Sequence, residues 1–262
     1  MFKNENLEQM SFPKWNQGLN NLFRAELSMW FKKKVFLVRL LLWCGLSNGM
    51  AILIWLQAPT AGTEPIFVFG IFAGLTSSIG ITIIMQESIV GEIKSGAASW
   101  ILSKPITRKS YIFAKWIGNS IGAAISMILA PTLIFYVLYF LFTGELLSLV
   151  MLLPVIAVLL LNMLFFLTFT LMMGSLQRNS SLVIGVPIAF YVIQQIIFNF
   201  TNSLINIVPW GLTNPLSDGT PSIVVSFILG IQPFSLLPII VTSFYVVVFV
   251  ILSVINIQNQ DI

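Results

Sequence analysis

The sequence predicts an all-α integral membrane protein: six transmembrane helices, an N-terminal amphipathic interfacial helix, a cytoplasmic helix in the loop between spans two and three, and a re-entrant external element before span six. Three observations predict it. The chain is 57% hydrophobic and 8% charged, with mean hydropathy +0.95, whereas soluble domains carry roughly a quarter charged residues. A bilayer core of about 30 Å needs about 20 apolar residues per helix, and stretches near residues 35–56, 66–85, 111–142, 146–173, 182–200 and 236–257 meet that need. All thirteen Lys and Arg fall in the N-terminal region or on one side of that pattern.

Residues 1–34 are polar and lack the short apolar core of a cleavable signal, so they are read as part of the mature protein. Within them Trp15, Leu19, Leu22, Phe23, Leu27, Trp30 and Phe31 recur at helical spacing, with Asn16, Asn20, Arg24 and Lys32 largely on the other face. That pattern suits a helix lying in the headgroup region, its aromatics in lipid and Lys32, Lys33 and Lys34 toward phosphates; the alternative is a tail running straight into the first span. Arg39, one turn into that span, can reach back to the interface. Spans three and four exceed a perpendicular crossing and carry Pro131 and Pro154, so they are expected to tilt, kink or extend beyond the membrane.

The loops alternate in charge. Residues 57–65, 143–145 and 201–235 carry no Lys or Arg, only Glu64, Glu145 and Asp218, and are assigned outside. The loop 86–110, continuing to the next helix start, holds Lys94, Lys104, Arg108, Lys109 and Lys115, and the turn between spans four and five holds Arg178. These are assigned to the cytoplasm, which puts both termini there and makes residues 1–262 one multi-pass domain of the plasma membrane: 1–34 cytoplasmic and interfacial, 35–257 the six spans, 258–262 a cytoplasmic tail. Ser222 to Ile231 is apolar but too short to cross, about 15 Å as a helix. Flanked by Pro209, Pro215, Pro221 and Pro233, it reads as a re-entrant element or as an external loop with an apolar patch.

The reactive inventory argues against catalysis. There is no His, and acids near the spans are confined to Glu87 and Glu145 at their ends, so the paired carboxylates or imidazoles of an intramembrane enzyme are missing. The lone Cys44 lies in an apolar run and offers neither a disulfide nor a metal pattern. Secondary transport usually needs ionisable residues near the midplane, whereas these spans offer amides and hydroxyls such as Asn48, Ser77, Ser78, Asn119, Asn162, Thr168, Gln194 and Gln195. An ion-coupled carrier nevertheless stays open as an alternative. A passive channel lacks any charged ring or filter-like stretch, and the basic charge reflects topology rather than nucleic-acid binding.

The largest cytoplasmic loop is more specific. An acid at the end of span two, Glu87, is followed by Gly91-Glu92, then Leu-Ser-Lys-Pro-Ile-Thr-Arg over residues 102–108, then Lys115 early in span three. This arrangement resembles the signature loop of ABC-type-2 transporter permeases, which places a Glu, a Gly-x-x-x-x-Leu-x-Ser-x-Pro-Val-x-Arg-like run and a Gly-Lys between the second and third of six spans. Ile106 stands where that family often has Val, and Ala114 where it often has Gly. The six-span layout, the amphipathic entry helix and the apolar segment before the last span extend the likeness over most of the chain.

Residues 90–101 are expected to form a short helix with Ile93, Ala97 and Trp100 on one face, ended by Pro105. The resemblance implies that this coupling helix seats in a groove of a separate cytoplasmic ABC ATPase, with Glu87, Gly91, Glu92, Lys94, Ser95, Ser103, Pro105 and Arg108 as the coupling residues. Glu87, Glu92 and Arg108 would brace the loop or contact the ATPase through charge-assisted hydrogen bonds. Lys104, Lys109 and Lys115 are read as headgroup anchors. No Gly-x-x-x-x-Gly-Lys-[Ser/Thr] phosphate loop occurs, so this chain binds no cofactor, and ATP and Mg are expected on the ATPase. The resemblance thus implies a permease subunit of an exporter, paired with a second, identical or related, permease around a pathway for a lipid-like, amphipathic or peptide cargo. A mechanotransmitting subunit would use the same lever.

Overall fold

The helices follow the apolar runs of the sequence. The computed structural model describes residues 16, 18–59, 61–198, 205–215, 219–231 and 235–259; Lys3, Lys14, Trp15, Asp218, Pro233 and the end of the C-terminal tail lie outside them. All regular structure among the described residues is helical. The elements are α1 (Leu19–Trp30), α2 (Lys33–Gln57), α3 (Glu64–Lys94), α4 (Ala97–Leu102), α5 (Arg108–Thr143), α6 (Leu149–Leu176), α7 (Ser180–Phe198), α8 (Trp210–Thr213), α9 (Ile223–Leu229) and α10 (Leu237–Gln258). Helices α2, α3, α5, α6, α7 and α10 are long and apolar enough to cross a membrane. Their exposed positions are themselves apolar, Leu41, Val150 and Leu153 for example, as lipid as solvent requires.

Starts and breaks follow local chemistry. Glu64 and Pro65 open α3, an acid and a proline where the helix dipole and unpaired N–H groups favour them. Thr107 caps α5 by accepting from the Ser110 N–H. Pro131 cannot donate to the carbonyl four residues back, and α5 adopts a π turn over Ala124–Leu129 immediately before it. Pro154 lies early in α6, and the helix continues past it.

Helices α3 and α6 form the centre, with α2 and α9 against α3 or α6 and α10 along α6. Packing uses small residues and buried amides. The Asn162 amide donates to the Gly74 carbonyl (3.3 Å) and to Ser78 Oγ (3.0 Å), joining the two central helices. Trp43 lies so close over Gly80 that no side chain fits there. Trp55 stacks with Phe135 and Phe142, and Phe165 meets Phe190, Tyr245 and Phe249.

Three expectations are corrected. The helix expected over 90–101 is split: residues 87–94 prolong α3, through a π turn at Glu87–Gly91, because no proline interrupts them and Gly91 keeps helical dihedrals (φ −59°, ψ −45°). The break comes at Gly96, whose φ of 75° only glycine adopts readily, and the separate helix is α4 alone. It ends at Leu102, three residues before Pro105. The apolar face of α1, expected in lipid, turns toward α5, burying Trp30 and, with it, Glu26. Lys115, read as a headgroup anchor, is 1% exposed.

At about 1.5 Å per residue, the 31 residues of α3 and the 36 of α5 outrun a ~30 Å core. The end of the bundle that carries α1, α4 and the close of α10 is here termed the basic end.

Candidate functional site

The basic end is organised around one ammonium. Lys115 Nζ lies 2.5 Å from Glu26 Oε1 and 2.6 Å from Glu92 Oε1, and donates to Ser88 Oγ at 3.2 Å. Glu92 Oε2 accepts from the Tyr111 hydroxyl at 3.0 Å. The Asn119 amide donates to Glu26 Oε2 (3.3 Å), and its Oδ1 accepts from Trp30 Nε1 (3.0 Å). One network therefore fastens α1, the prolonged end of α3 and the first turns of α5.

Sequence periodicity builds this arrangement. Glu26 and Trp30 are four apart, as are Lys115 and Asn119, and Gly118 and Gly122, so each pair shares a helix face. A side chain on Gly118 would meet the Glu26 Cβ at 2.6 Å, and one on Gly122 would overlap the Trp30 ring. The two glycines let α1 approach α5 closely enough for the carboxylate and ammonium to meet. Two carboxylates against one ammonium leave a formal surplus of one negative charge, and a pair this buried is costly to break from one side.

The residues singled out from the sequence fall into three groups. Glu92 faces inward, onto Lys115 and Tyr111, so it braces the loop. Lys94 Nζ donates to Ser180 Oγ at 2.8 Å, tying α3 to the start of α7, and Arg108 Nη1 donates to the carbonyls of Ile257 (3.1 Å) and Gln258 (3.0 Å), closing α10. Ser95 and Ser103 donate to the carbonyls of Glu92 and Trp100 within their own turns. Pro105 is exposed. Glu87 is exposed and folded over Gly91, where a side chain would meet its Oε1 at 2.7 Å. Among the basic residues read as anchors, Lys104 sits over the Trp100 ring at 3.5 Å, and Lys109 is exposed.

Glu26, Ser88, Tyr111 and Asn119 were not singled out as parts of the loop's machinery. The four-residue pairings above were the available signal; contact between α1 and α5 depends on a chain reversal that periodicity does not specify. Between α4 and the network, Gly96 is the joint. Trp100 in α4 is 64% exposed, a large ring with the Lys104 ammonium over one face.

Among the described residues no group of His, Cys, Asp or Glu could hold a metal ion. Helix α4 lies between two helices cross-linked by Glu92 and Lys115, and Arg108 extends the linkage to α10.

No curated protein matches the chain. A family model described as ABC-2 family transporter protein matches residues 17–257, a span that takes in all but the last residue of the membrane-length helices and the whole Glu26–Glu92–Lys115 network; the chain belongs to that family.

Proposed function

We propose that this chain is the permease subunit of an ATP-driven exporter, pairing with a second permease and driven through α4 by separate cytoplasmic ATPase subunits. Membership of the ABC-2 family makes it a membrane subunit of an ABC transporter, and implies ATPase partners. The observation that carries the finer reading is the exposed Trp100 on α4, held between the ends of two helices longer than a perpendicular crossing needs. An ATPase groove would cover that ring, while the partner supplies ATP and Mg. Motion of α4 would pass through the Glu92–Lys115 contact to α5 and α1, and through Arg108 to α10.

The positive-inside rule puts the basic end in the cytoplasm, and the Arg108 bonds to Ile257 and Gln258 place the close of α10 at the same end. On that orientation the segment before α10 enters from outside. Val225 and Val224 lie against Gly70, and Thr213 against Gly74, ten residues into α3 or about 15 Å along it. That depth supports a re-entrant path for α8 and α9.

Co-purification tests the proposal. Wild-type chain should retain an ATP-binding subunit; Trp100→Ala should weaken that association about tenfold or more, and Glu92→Arg should abolish it. An intact complex with both variants, or ion-dependent uptake by this chain alone in liposomes, overturns it. ATPase binding without any transported cargo would move the assembly to the mechanotransmitting class.

A further inference from the structure

A cavity of about 530 Å³ opens beside the network, walled by α1, α2 and α3. Its apolar side is Met29, Trp30, Ile83 and Ile84, and its polar side includes Arg39, Glu87, Ser88 and Asn119 together with Glu26 and Glu92, whose carboxylates Lys115 already engages. Two of its charges are unspent. No hydrogen bond or ion pair among the described residues engages the Glu87 carboxylate, and Arg39 has only the Trp30 ring, 4.6 Å from its guanidinium carbon. Helices α2 and α3 run antiparallel with Trp43 over Gly80, so Arg39, one turn earlier, is level with Ile84, and Glu87 stands one turn nearer the basic end. A cation and, at least one turn nearer the basic end, an anion thus line one cavity and are open to a ligand bearing both charges.

We infer that this cavity binds the headgroup of an ethanolamine phospholipid from the adjoining leaflet, its phosphate on Arg39 and its ammonium on Glu87. Planar guanidinium donors suit phosphate oxygens, and a primary ammonium can donate to the carboxylate of Glu87; Ser88 Oγ already accepts from Lys115 and Asn119. A quaternary ammonium has no proton to donate. It would depend on an aromatic face, and the nearest, Trp30, already carries Arg39. The acyl chains have a path: Leu42 and Leu46 on α2 and Ile83 on α3, all exposed and apolar, continue from the two charged residues toward the bilayer centre. The site gives Glu87 a role in lipid recognition distinct from contact with an ATPase, so its test needs no ATPase.

The test is native mass spectrometry of the purified full chain equilibrated with equal amounts of phosphatidylethanolamine, phosphatidylcholine and phosphatidylglycerol. Wild type should retain phosphatidylethanolamine roughly tenfold over phosphatidylcholine, as expected for one added charge-assisted hydrogen bond. Glu87→Gln should reduce that ratio to near one, Glu87→Asp should restore part of it, and Arg39→Gln should lose both lipids. Excess glycerophosphoethanolamine should leave bound lipid in place; displacement by it would make the ligand a free headgroup and overturn the lipid assignment. Equal retention of the three lipids, a preference for phosphatidylglycerol, or ratios unmoved by either substitution would also overturn it.

Discussion

Lys115 shows how a single side chain can be misread from the sequence. A lysine near the start of a span ordinarily reaches for phosphates, and nothing in its immediate neighbours says otherwise. Its burial follows from Gly118 and Gly122, which draw in α1 and with it Glu26. Replacing it isolates two carboxylates, so Lys115→Met is expected to destabilise the protein by about 3–5 kcal/mol, read as a lowered unfolding temperature in detergent. Neutralising the carboxylates as well, with Glu26→Gln and Glu92→Gln, should recover most of that loss. If the triple variant melts with Lys115→Met, the charges are not what holds these helices together. Glu92 was legible as a residue of consequence from its place after Gly91; its inward partner was not, because the partner lies on another helix.

At the scale of elements, membrane-length helices were legible and their ends were not. Hydropathy marks where lipid begins, but α3 runs on past Met85 because no proline follows before Ser95 and Gly91 keeps helical dihedrals at the end of a π turn. Only Gly96 stops it, and a glycine inside a polar loop is easily passed over in favour of the proline at 105. Gly96→Ala should cost about 1–2 kcal/mol, the expense of a left-handed alanine. Hydrogen exchange should then speed up by roughly tenfold at the amides of residues 93–102. Unchanged protection would show that the break between α3 and α4 does not depend on the glycine. The direction in which α1 faces was also illegible, since an apolar stripe satisfies lipid and protein alike.

For the whole molecule, composition and the one-sided distribution of basic residues were enough for fold class and spans, because the bilayer leaves a chain so few options. Orientation can be measured directly. With buried Cys44 replaced by serine, a cysteine at Glu145 should react with an impermeant maleimide in intact cells, whereas cysteines at Lys109 and Asn259 should react only after permeabilisation. Labelling of the Lys109 and Asn259 positions from outside, with the Glu145 position protected until permeabilisation, would invert the assignment of the basic end.

A turn closed by i→i+5 bonds holds one residue more than an α turn, so the wide turn at Ala124–Leu129 amounts to an insertion already absorbed. Deleting one residue there would let α5 close up as ordinary helix with both halves still facing their neighbours: Gly118 and Gly122 toward Trp30 on one side, Phe135 and Tyr139 toward Trp55 on the other. The same deletion elsewhere in the helix would swing one half by about 100° and tear a seam. Homologues one residue shorter in this helix are therefore expected to carry their alignment gap here.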